Sequence, residues 1–173
     1  VCPIVATTLG EDNLMLKFAR FAIDVAHYRW LGRKTWHPLL SNISLEVNPG
    51  ELVALVGGSG EGKSLLLQSV LGLLPDNMRC HGEIILDGDV LCAQDKIERR
   101  GKTLCYVPQG VSALNPLIKV GSQMTRAAQL SGVKLRLEDV AMQLQTYNLA
   151  PGLVHDFPRQ LSGGMAKRVL TSC

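Results

Sequence analysis

Gly57-Gly58-Ser59-Gly60-Glu61-Gly62-Lys63-Ser64 fits the pattern G-x-x-x-x-G-K-[ST] of a phosphate-cradling loop. Its flanks decide the fold. Leu52 to Val56 is a continuously apolar run, the pattern of a buried parallel strand. Ser64 to Leu74 reads as an apolar helix stopped by Pro75. Strand, glycine-rich turn and helix in that order predict an α/β fold. The residue types suit the chemistry. Glycines let the backbone curl so that successive N–H groups converge on an anion. The helix N-terminus adds its positive dipole end. The Lys63 ammonium can reach β- and γ-phosphates, and the Ser64 hydroxyl can ligate Mg²⁺. A flexible Gly/Ser linker has a similar composition, but a linker does not stand between a buried strand and an apolar helix.

Before the loop, Ile23 and Val25 alternate with polar neighbours, as do Ile43, Leu45 and Val47, and Asn48-Pro49-Gly50 makes a turn. After it, His81 to Leu91 reads as a hairpin with Asp87-Gly88 at its tip. Thr103 to Val107 reads as a second buried strand, with Cys105 in its core. Beyond Pro116 the period becomes helical, over Val120 to Leu130 and Leu137 to Leu149. The expected organisation is a tail over 1–14, a strand-rich lobe over 15–114 and a helical lobe over 115–173.

The chain has 173 residues, 46% apolar and 19% charged, ordinary for a globular domain with a buried core. A net charge of +3 suits a small anionic ligand and is too slight to argue for nucleic acid. Arg99, Arg100 and Lys102 form a short basic group, read as a solvated loop patch. Five scattered cysteines without a C-x-x-C pair argue against zinc and fit reduced thiols in the cytosol. The most apolar stretch, Leu65 to Leu74, is about half the ~20 residues of a membrane span.

Two further motifs narrow the reading. Tyr106-Val107-Pro108-Gln109 ends the Thr103 run, and a strand's C-terminal end is where open α/β sheets place ligands. An amide there can ligate Mg²⁺ and orient a water. Leu161-Ser162-Gly163-Gly164-Met165 then combines a hydroxyl, two glycines and a helix start, again an anion-binding arrangement. The segment closely resembles the LSGGQ signature of ABC ATPases. Loop, glutamine and signature stand in the family's order from about Val25 to Leu170. Ser112-Ala113-Leu114-Asn115-Pro116, Phe157-Pro158-Arg159-Gln160 and Met165 are similar to the peptide and nickel importer subgroup. Gly110-Val111 departs from that subgroup's Asp-Pro.

The resemblance implies a P-loop NTPase (RecA-like) lobe, an antiparallel β subdomain and a small helical subdomain, with ATP and Mg²⁺ as cofactors. By it, Gly57, Gly58, Ser59, Gly60, Glu61, Gly62, Lys63 and Ser64 hold the nucleotide, and Ser64 and Gln109 the metal. Gln109 also serves catalysis. Tyr28 is the adenine-stacking candidate, Trp30 the alternative, and an aromatic buried at the lobe's edge is the structural reading of either. Ser162, Gly163 and Gly164 would act on the nucleotide of a second ATPase subunit paired head to tail. The helical lobe would meet a transmembrane permease on the inner face of the cell membrane. The expected function is ATP-driven uptake of nickel-type metal complexes or short peptides. The family's Asp-Glu strand and switch histidine do not follow the signature within these residues, so the chain is expected to be incomplete at its C-terminus and to bind ATP without turnover. A soluble ABC ATPase of DNA repair or translation and a P-loop small-molecule kinase are the rival readings.

Overall fold

The computed structural model describes residues 2–3, 14–28 and 33–173. Backbone contacts divide the chain into two units, Val1–Leu104 and Cys105–Cys173.

The alternating segments of the first unit become a four-stranded antiparallel sheet. It contains β2 (Leu16–Tyr28), β3 (Lys34–Val47), β5 (Met78–Leu86) and β6 (Asp89–Val90), in the order β3-β2-β5-β6. The Asp87-Gly88 tip forms as expected: Leu86 pairs with Asp89, and both turn residues take positive φ, as a type I′ turn requires. Two short strands, β1 (Cys2–Pro3) and β4 (Ala54–Leu55), pair antiparallel. Helix α1 (Lys63–Val70) presents Leu66 and Val70 to the sheet residues Phe18, Phe21, Ile23, Ile84 and Leu86, closing the first core. The rings of Phe18 and Phe21 meet edge to face at 5.4 Å. Helix α2 (Ala93–Arg99) opens on a capping box between Cys92 and Asp95.

Four sequence expectations change here. The run Leu52 to Val56 is strand only at Ala54–Leu55, and its pairing is antiparallel, not parallel. A fully buried strand needs cover on both faces. Leu55 packs on the core, whereas Leu52 is 73% and Val56 82% exposed. Thr103 to Val107 forms no strand. The chain instead turns on itself: Thr103 and Leu104 donate backbone bonds to Arg99, and Gly101 donates to Leu104. Backbone groups satisfied in a local turn do not enter a ladder, and Cys105 is exposed rather than core. Helix α1 stops at Val70, before Pro75. Gly72, at φ 63°, donates to the Ser69 carbonyl, and Leu73 donates to that of Gln68. That pair of bonds is a Schellman ending, and glycine supplies its left-handed residue. Lastly, Arg100 is no solvated loop charge. Its Nε donates to the Leu71 carbonyl at 2.6 Å and its Nη2 to that of Gly72 at 2.9 Å, capping α1.

The second unit is helical: α3 (Val120–Leu130), α4 (Leu137–Thr146) and α5 (Gly163–Ser172), with two short 3-10 turns between α4 and α5. Helix α3 has the expected bounds. Helix α4 ends three residues before the expected Leu149, where Asn148 turns left-handed at φ 55°. Val120, Met124, Val140, Leu144, Leu153 and Val169 form the centre of its own core. Among the described residues, no helix is long and apolar enough to cross a membrane.

Candidate functional site: the phosphate-binding loop

Residues 57–64 join β4 to α1 and lie largely exposed. Gly60 and Gly62 take φ of 85° and 81°, so the loop curls tightly before the helix. Gly62 is the N-cap of α1 and is doubly constrained. Its φ is left-handed, and a Cβ there would come within 2.9 Å of Leu40 Cδ2. No side chain caps this helix end, and its first turn carries no acidic residue. The first-turn N–H groups and the dipole's positive end therefore suit an anion. Lys63 and Ser64 are the first two helical residues, which brings an ammonium and a hydroxyl to that end. This donor set fits a nucleotide's phosphates, and the Ser64 hydroxyl is an oxygen that could ligate Mg²⁺.

The loop's charged side chains engage its own backbone. Lys63 Nζ donates to the Gly57 carbonyl at 2.8 Å and also to the Gly58 carbonyl. Gly58 N donates to Glu61 Oε2 at 2.6 Å. The Glu61 contact was not foreseen. A carboxylate within a glycine-rich, amide-lined turn was the signal available for it.

Tyr28 closes β2 opposite Lys34 of β3, 67% exposed, with the Lys34 ammonium 5.8 Å from the ring centroid. It is thus no buried edge aromatic, while Trp30 lies outside the described residues. Close by in the ladder, Trp36 receives Lys34 Nζ and Arg79 Cζ, each at 4.2 Å. Arg79 is held in turn by Asp24, which accepts from its Nε at 3.0 Å and Nη2 at 2.9 Å, and His81 Nε2 lies 3.1 Å from the same oxygen. The Arg79 hydrogen bond, more than that of His81, keeps the Asp24 carboxyl below its ordinary pKa despite partial desolvation. This cation–aromatic cluster escaped sequence reasoning because its members are far apart in the chain and meet only across the ladder.

In the second unit, Gln109 is exposed in an irregular segment, not at a strand's end. Just beyond it, Gln123 of α3 fixes the 115–118 turn. It accepts from Asn115 N at 2.9 Å and donates to the carbonyls of Asn115 at 3.0 Å and Ile118 at 2.7 Å. Ser162 is the N-cap of α5, and its Oγ accepts from Met165 N at 3.3 Å. A Cβ on Gly163 or Gly164 would meet nothing within 4 Å, so packing within this chain does not account for either glycine. Met165 is half-buried against the helical core.

A G-x-x-x-x-G-K-S loop on an α/β lobe and a capped S-G-G helix start on a helical lobe are the marks of an ATP-binding cassette. Residues 40–171 match the ABC transporter family, and the chain belongs to that family. It is 32% identical over 147 residues to the metal-staphylopine import system ATP-binding protein CntD of Staphylococcus aureus (strain Mu50), covering 79% of this chain and 54% of that protein. It is 37% identical over 143 residues to the probable D,D-dipeptide transport ATP-binding protein DdpD of Escherichia coli, covering 76% and 43%. The chain thus spans about half the length of the curated relatives it matches. Among solved structures, the dimeric ATP-binding cassette MJ0796, in a post-hydrolysis state bound to ADP and Pi, shares the fold. Its TM-score is 0.68 over 91% of this chain and 67% of that one, at 22% identity.

Proposed function

We propose that this chain binds ATP with Mg²⁺ through residues 57–64, as part of the ATPase subunit of an importer for metal complexes or short peptides. The observation that carries the reading is the uncapped N-terminus of α1, with Lys63 and Ser64 in its first turn behind two left-handed glycines. The related ATP-binding proteins of a metal-staphylopine import system and of probable D,D-dipeptide transport support the transport role.

In this reading the N–H groups of Gly58 to Ser64 wrap the phosphates, the Lys63 ammonium pairs with them, and the Ser64 hydroxyl ligates the metal. Mg²⁺, held by Ser64, would neutralise charge on the phosphates. Gln109 is assigned to metal ligation and to orienting the attacking water. Its amide can hold a water but is not a base. Tyr28 is assigned to the adenine. Ser162, Gly163 and Gly164 are assigned to the nucleotide of a second cassette, in keeping with the open space around both glycines. The proposed partners are that second ATPase subunit and a membrane permease, which would put the protein on the inner face of the cell membrane.

Lys63→Ala removes a charge-assisted contact to phosphate and should weaken Mg·ATP binding at least tenfold, the scale of one such bond. Calorimetry on folded protein measures it. Equal affinities for parent and variant would refute the reading.

A further inference from the structure

Glu61 stands inside the turn that the reading above gives to phosphate. Its Oε2 takes the Gly58 N–H at 2.6 Å. A Cβ built on Gly58 would lie 2.8 Å from its Oε1, and one on Gly57 would strike its Oε2. The carboxylate therefore lies over both glycines that open the loop. Lys63, the other ionic side chain of the turn, is engaged with the carbonyls of the same two glycines.

We propose that Glu61 is an internal rival of the phosphate, holding the Gly58 N–H until a nucleotide displaces it and thereby setting the affinity of the loop. The proposal rests on the reading of this loop as the nucleotide site. Carboxylate and phosphate oxygens are both anionic acceptors, so an N–H cradle that suits one suits the other. Two anions at one donor repel, so the carboxylate must leave before a phosphate oxygen takes its place. Glu61 is three residues from Gly58 and cannot diffuse away, so its effective concentration at that N–H is high. Once displaced, its charge stays within the same turn and continues to oppose the phosphates. The outcome is a loop that binds nucleotide more weakly than its glycines, lysine and helix end would alone.

The test compares the parent chain with Glu61→Ser, Glu61→Gln and Lys63→Ala, each checked for folding by circular dichroism and thermal melting. Mg·ATP affinity is measured by calorimetry and the Gly58 amide proton by NMR. Glu61→Ser should bind Mg·ATP about tenfold more tightly than the parent, the scale of one charge-assisted hydrogen bond. Glu61→Gln, neutral but able to accept one N–H, should fall between them. The Gly58 amide resonance should shift upfield in Glu61→Ser without nucleotide. A folded Glu61→Ser no tighter than the parent, with Lys63→Ala binding weakly, would overturn this proposal and leave the nucleotide site standing. If Glu61→Ser does not fold, Glu61→Gln decides by the same comparison. Lys63→Ala binding as tightly as the parent would overturn both.

Discussion

Tyr28 ends its strand largely exposed, with only the Lys34 ammonium at 5.8 Å from its ring, while nearby Trp36 is engaged by two cations at 4.2 Å. A ring that stacks on a purine must have a face to offer, and Tyr28 has one. Tyr28→Ala should weaken Mg·ATP binding by about 1 kcal/mol, a typical aromatic-pair magnitude. Trp36→Ala should lower thermal stability and leave affinity near the parent's. Fluorescence titration with ATP checks both. An unaltered affinity in Tyr28→Ala would leave that residue with no part in the site. At this scale the glycine-rich loop was legible because its spacing is a motif in itself, and the structure shows its left-handed glycines and the helix start behind them. Glu61 was legible only as a member of the loop. Which way a carboxylate folds inside a turn depends on local hydrogen bonds that a motif does not encode.

Among the elements, those whose pattern is local came through. The Asp87-Gly88 hairpin, helix α3 and the Ser162-capped start of α5 each carry their own turn or cap chemistry. The runs at 52–56 and 103–107 did not become the expected strands. A short apolar run states only that it tolerates burial, and its partner strands are set by the rest of the fold. The end of α1 was misassigned because Pro75 is the louder stop signal, while Gly72 and Arg100 do the stopping. Within the sheet, Asp24 of β2 ties β5 through Arg79 and His81. Its folded pKa lies below the ordinary carboxylate value, so its contribution to stability is full above about pH 4. That contribution is lost as pH falls through the lowered value. The parent's melting temperature should therefore drop more steeply than that of Asp24→Asn as pH falls below about 4. Parallel curves for the two proteins would show the cluster to be neutral for stability.

Over the whole molecule, each unit has a core of its own, around Phe21 and Ile23 in one and around Val140 and Leu144 in the other. Leu144 is fully buried, so Leu144→Ala should cost the helical unit about 2–5 kcal/mol. Hydrogen exchange would show it as lost amide protection in α3, α4 and α5. Unchanged protection there would mean that the cavity collapses without cost. The helical unit also carries a clasp. Arg168 of α5 donates to the Asn148 carbonyl at 2.9 Å and to that of Tyr147 at 3.4 Å, just past the end of α4, while its Nε reaches back to Gly164 at 3.4 Å. One guanidinium thus ties the middle of α5 to the turn that ends α4. Any displacement of the end of α4 would therefore pull on α5 through this guanidinium, nearly two turns along the helix from Ser162.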